Sequence, residues 1–134
     1  MLRAKSLSRI ALVVAAIVAV PELVQAQQPI RIGASIALTG RDAVQGGYVR
    51  EGDLLCQKHV NETGGVLGRA LELLIYDDRS DEQTAVGLYE KLITEDKVEA
   101  VLSPYGSPIT DAVGNVTEKH RRLMVAPGTA TTSI

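Results

Sequence analysis

"VEAVLSPYGSPIT" (residues 98–110) is an apolar run that passes abruptly into the most irregular turn of the chain. Val98, Val101 and Leu102 suit a short buried strand over 98–102, and Ser103-Pro104 break it. From Pro108 an amphipathic period resumes through Ile109, Ala112, Val113 and Val116, which predicts a helix from about Pro108 to His120. A strand that turns directly into a helix is half of a β-α-β unit, so this segment decides the fold class.

The same alternation extends to both sides. "PIRIGASIAL" (29–38) alternates apolar and small residues and predicts a first strand, followed by the turn-rich loop "TGRDAVQGG" (39–47). A helix is predicted from about Gly47 to Glu62, with Tyr48, Gly52, Leu55, Cys56, His59 and Val60 on one face, ending at the glycines of "TGG" (63–65). "ALELLIYDD" (70–78) predicts strand two. Ser80, with Gln83 three residues on, has the spacing of a capping box for a helix over 81–96, whose stripe is Ala85, Leu88, Tyr89, Leu92 and Ile93. "LMVAP" (123–127) predicts strand four. The order βαβαβαβ implies an α/β fold, a parallel sheet with helices on both faces and right-handed crossovers. Strand four closes nothing in this sequence, so the chain is expected to be the N-terminal part of a longer protein.

Residues 1–26 read differently. Arg3, Lys5 and Arg9 precede the apolar run "IALVVAAIVAV" (10–20), and Val24-Gln25-Ala26 puts small residues at −3 and −1 of a cut after Ala26. That is the pattern of a cleaved signal peptide, and the apolar run falls short of the roughly 20 residues a membrane span needs. Removing Arg3, Lys5, Arg9 and Glu22 leaves 11 Lys+Arg against 15 Asp+Glu over 27–134, a net charge of −4. Such a chain has no basic patch for nucleic acid. Cys56 is the single cysteine, so no internal disulfide forms, and its place on the predicted apolar helix face predicts burial.

In an open parallel sheet, ligands sit beyond the carboxyl ends of the strands. Nothing among the loops that arrive there resembles a catalytic nucleophile elbow, a phosphate loop or a dinucleotide fingerprint. His59 and His120 fall in predicted helices, away from those loops, and no metal-ligand spacing is present. Asp77-Asp78 read as a turn start and as charge favouring the N-terminus of the second helix. Gly106 and Ser107 are different. They sit where helix three begins, where unpaired amides and the helix dipole suit a carboxylate or phosphate. Ser107 also reads as that helix's cap, with Pro108 at the first helical position. "GTATTS" (128–133) adds small residues and hydroxyls beside it.

Taken together, "IRIGASIALTG", the Gly46–Asn61 helix followed by "TGGVLGR", "LELLIYDDRSD", "AVGLYEKLI", "VEAVLSPYGS" and "LMVAPGTAT" resemble, in order and over residues 30–134, the start of the periplasmic leucine/isoleucine/valine-binding proteins. The resemblance implies two α/β lobes joined by a hinge, ligand trapped between them by closure, and a membrane permease of an ABC importer as partner. It implies a periplasmic location, no cofactor and no catalytic residue. By this resemblance residues 27–134 are an incomplete lobe one. Ser107, Gly128, Thr129 and Ala130 fall at the positions that hold the ligand's carboxylate and ammonium, with Gly106 in the same turn. Ala130 stands where the family often carries a hydroxyl, with Thr129 or Thr131 as substitutes. Gln45 matches a position that is often aromatic and touches the ligand side chain, and Tyr105 offers an apolar wall in its place. A ligand-sensing ectodomain or amide-responsive regulator on the same fold is the alternative. An exported hydrolase fragment is a third class, disfavoured by the absence of an activated nucleophile at any strand end.

Overall fold

A computed structural model describes residues 27–130; the expected signal segment 1–26 and Thr131 lie outside the described residues. The elements are β1 (Ile30–Ile36), α1 (Ala43–Glu62), β2 (Leu71–Asp77), α2 (Glu82–Thr94), β3 (Ala100–Leu102), α3 (Ser107–Lys119) and β4 (Met124–Val125). All pairings are parallel, in the order β2-β1-β3-β4, with Ile30 opposite Leu71, Ile32 opposite Ala100 and Val101 opposite Met124. The predicted α/β alternation is therefore the observed one.

The strand order places the ligand end of the sheet. The chain leaves β1 toward β2 on one side, then crosses back over β1 to β3 and β4 on the other. Right-handed crossovers moving in opposite directions lie on opposite faces. Accordingly α1 packs on β1 and β2, whereas α2 packs on β1 and α3. The loops after β1 and β3 thus diverge, and a crevice opens between these neighbouring strands at their carboxyl ends.

The core lies on the α2–α3 face. Ala85, Tyr89, Leu92 and Ile93 of α2 meet Ile109, Val113 and Val116 of α3 over Val98 and Val101. Gly33 lets α2 close on β1, since a Cβ there would lie 2.9 Å from Leu92 Cδ2. α1 is held differently, with Gly46 its only buried residue. It ends as expected: Gly64 takes φ +100°, its N–H reaches Asn61 O, and Gly65 N–H reaches Val60 O at 2.9 Å.

Three local expectations are corrected. Asp81, not Ser80, caps α2, its carboxylate accepting from Thr84 N at 2.7 Å and Thr84 Oγ1 at 2.6 Å. Ser80 has φ +59°, which turns its hydroxyl back to Thr39 O and Asp42 N. Ser107 does not cap α3: Gly106 is the cap residue, at φ +94°, and Ser107 is the first helical residue. Cys56 is exposed rather than buried. Cys56 lines an open groove with Ile32, Leu71, Val101 and Val125 instead of a packed core, and Tyr48 and Leu55 of the same stripe are also exposed, because α1 meets the sheet chiefly over β2 and β1.

Candidate functional site

Each strand delivers a loop to the carboxyl edge, and two carboxylates fasten the first two loops together. Asp77 Oδ1 accepts from Leu38 N at 3.0 Å, Thr39 N at 3.1 Å and Arg79 N at 2.9 Å, and Asp77 Oδ2 accepts from Thr39 Oγ1 at 2.7 Å. Desolvation opposes ionisation, but these donors outweigh it and hold the carboxyl below the usual carboxylate range. Asp78 is buried. It accepts from Ser80 N at 2.9 Å and Ser35 Oγ at 3.0 Å, the turn expected of it, and burial pushes its pKa up.

We expect Asp77→Ala to cost about 2 kcal/mol of folding stability, because four donors lose a charged acceptor. The folded pKa is depressed, so this contribution is complete above the unfolded value of about 3.9 and is lost as pH falls through the lower folded value. Urea titrations of wild type and variant should therefore differ by a constant amount above about pH 5 and converge in more acid solution. Parallel curves down to pH 3 would remove the assigned role.

The loops after β3 and β4 form an arch. Gly106 N–H donates to Gly128 O at 3.2 Å, and Ser103 N–H to Val125 O at 2.8 Å. Ser107 Oγ accepts from Thr129 Oγ1 and from Ala130 N, both at 3.2 Å. A serine hydroxyl has two lone pairs and one hydrogen. The Ala130 amide occupies one lone pair and the Thr129 hydroxyl holds the other side of the oxygen, which fixes the Ser107 hydroxyl beside the first turn of α3. Thr110 N–H finds Gly106 O at 3.1 Å, while Pro108 has no N–H, which leaves the amides of Ser107 and Ile109 without a hydrogen-bond partner among the described residues. Free amides at a positive helix end are the kind of group that suits an anion.

The sequence-derived residues thus separate into two groups. Tyr105, Gly106, Ser107, Gly128, Thr129 and Ala130 are brought together, with Gly128 backed against Pro104 and Tyr105. Gln45 is exposed in the first turn of α1 and is not among the residues lining the adjoining cleft. That cleft, of about 230 Å³, lies between α1 and the arch, and Tyr48, Asp53, Ser103, Tyr105 and Gly128 contribute to it. Sequence reasoning passed over Tyr48, Asp53 and Ser103. No motif or spacing in the sequence singled them out.

Among the described residues no group of three His, Cys, Asp or Glu side chains could hold a metal ion, and no helix is long and apolar enough to cross a membrane. His59 is exposed, and His120 ends α3, where its Nε2 meets Glu90 Oε2 at 2.6 Å beside the Lys119–Glu90 ion pair. This α2–α3 clasp is remote in sequence from the arch and lowers the Glu90 pKa through Lys119 first and His120 second.

A parallel sheet with a crevice at its switch point, edged by a helix N-terminus and a serine hydroxyl, is the lobe architecture of a two-sided α/β fold. A sequence profile of the periplasmic binding protein family matches residues 29–133, and the chain belongs to that family. The leucine-, isoleucine-, valine-, threonine-, and alanine-binding protein of Pseudomonas aeruginosa is 33% identical over 102 residues, covering 76% of this chain and 27% of its own. Among solved structures, the branched-chain amino acid transporter substrate binding protein LivJ of Streptococcus pneumoniae, in complex with isoleucine, superposes with a TM-score of 0.75 at 27% identity, covering 78% of this chain and 30% of that one. A fatty acid ABC transporter substrate-binding protein from Thermomonospora curvata superposes at 0.67 with 31% identity, covering 75% and 25%. The chain spans about a quarter of the length of the curated relatives it matches.

Proposed function

We propose that residues 27–134 form the first part of lobe one of an extracytoplasmic solute-binding protein, exported by residues 1–26. It captures an amino acid of the branched-chain type, or a related small carboxylate or amide, between two lobes and delivers it to the membrane permease of an ABC importer. It catalyses no reaction. The observation that carries this reading is the Ser107 hydroxyl, held by Thr129 and Ala130 at the first turn of α3, where it can donate to a ligand acceptor. The unpaired amides at the start of α3 serve the same end of the ligand. The relatives support a carboxylate, since isoleucine and fatty acids share that group beside an aliphatic portion.

Titration calorimetry of the complete gene product with isoleucine tests this. Ser107→Ala should weaken binding roughly ten- to hundredfold, the loss of one hydrogen bond to a charged group. An unchanged Kd removes Ser107 from the site. Failure of the wild-type protein to bind isoleucine or any other small carboxylate removes the function.

A further inference from the structure

The cleft beside the arch contains a residue that the carboxylate site does not use. Ser103 is buried, only 3% exposed, and its Oγ has no hydrogen-bond partner. Among the described residues the only other such buried side-chain atom is Arg122 Nε, which lies at the β4 end of α3. Leaving a hydroxyl desolvated and unpaired is unfavourable, and an alanine at position 103 would avoid it. Asp53 lines the same cleft and makes no hydrogen bond or ion pair among the described residues.

The rest of the lining narrows what this pair could bind. A carboxylate only accepts, a serine oxygen accepts through two lone pairs, and Tyr48 and Tyr105 line the same cleft. Arg and Lys are missing from the lining. A carboxylate and a hydroxyl, with no basic side chain in the lining, complement a group that has donors and a positive charge. A protonated amine has three donors and no acceptor, and a cation over a tyrosine ring is favourable. Burial raises the pKa of Asp53, and an adjacent cation would favour its ionised form.

We propose that this cleft is a subsite for a protonated amine on the ligand, held by the Asp53 carboxylate and the Ser103 hydroxyl. Tyr105 and Gly128 belong to both cleft and arch, so one small molecule can reach both. The proposal rests on the carboxylate reading above and narrows it: the preferred solute carries an amine on its side chain and a carboxylate at its other end.

Lysine and norleucine, which differ by the terminal amine, are the probes, used in calorimetry on the complete gene product. Lysine should bind at least about tenfold tighter than norleucine, and Asp53→Asn should abolish that preference while leaving norleucine unchanged. Ser103→Ala should weaken lysine roughly ten- to hundredfold without lowering the Tm, because the variant removes an orphaned hydroxyl. Equal affinities for the two probes, or a lysine preference that survives Asp53→Asn, overturn the subsite. Isoleucine bound through Ser107 with no lysine preference overturns the subsite alone. Loss of every carboxylate ligand overturns both the subsite and the reading beneath it.

Discussion

Replacing Gly46 by alanine is expected to destabilise the protein by about 3 kcal/mol or more. A Cβ at this position would stand 2.0 Å from Ala37 O, 2.7 Å from Ala37 C and 3.2 Å from Ala37 Cα. These are backbone atoms at the exit of β1, with no side chain that could swing away. Either α1 must lift from the sheet or the β1 loop must shift, and the loop is pinned through Leu38 and Thr39 to Asp77. The neighbouring Gly47 supplies the control, because a Cβ there meets nothing within 4 Å. Gly47→Ala should therefore stabilise slightly, by up to about 1 kcal/mol from helix propensity. Chemical denaturation of the pair reads the contrast directly. Equal effects at the two positions would mean that α1 does not approach β1 as closely as the structure has it.

The second large effect is expected at Tyr89. Its side chain is fully buried in the α2–α3 core, and its hydroxyl donates to Leu102 O at the end of β3. Burial, the principal cause, raises the phenol pKa, so the group stays neutral through the accessible range. Tyr89→Ala should cost about 3–5 kcal/mol, through lost burial and the cavity left behind. Tyr89→Phe keeps the ring and isolates the hydrogen bond. It should cost about 1–3 kcal/mol, since Leu102 O loses a donor inside the protein. A Phe variant as stable as wild type would show that Leu102 O is satisfied without Tyr89.

The order of elements was legible because hydrophobic period is a local property: the stripe of α2 and the strand-turn-helix of 98–119 declare themselves within a few residues. The strand order was not, because nothing within Ile30–Ile36 says that its neighbours are Leu71–Asp77 and Ala100–Leu102. Caps failed where two polar residues compete. Ser80 and Asp81 each have a polar partner three positions on, and the choice was made by Ser80's turn toward Thr39 and Asp42, a tertiary contact. Cys56 was misplaced because its face does lie toward the sheet, but α1 packs closely only over β2 and β1 and leaves a groove open beside β3 and β4. At the site, Gly106, Ser107 and the residues after β4 could be named because topology dictates where loops after parallel strands meet. Ser103 and Asp53 could not. One reads as a strand breaker and the other as an ordinary surface charge until the fold puts them in one cleft.

The position of β1 at the centre of the sheet also has a temporal meaning. The first strand made is the one that both later neighbours need, and 41 residues separate Ile30 from its partner Leu71. At about 5–20 residues per second of synthesis, the apolar edge of "IRIGASI" waits roughly two to eight seconds for β2, and longer for β3. Throughout that interval it is an unpaired strand template. Nascent chains of this protein should therefore be most prone to association before residue 77 has emerged, and holding factors that shield short apolar segments would act in that window.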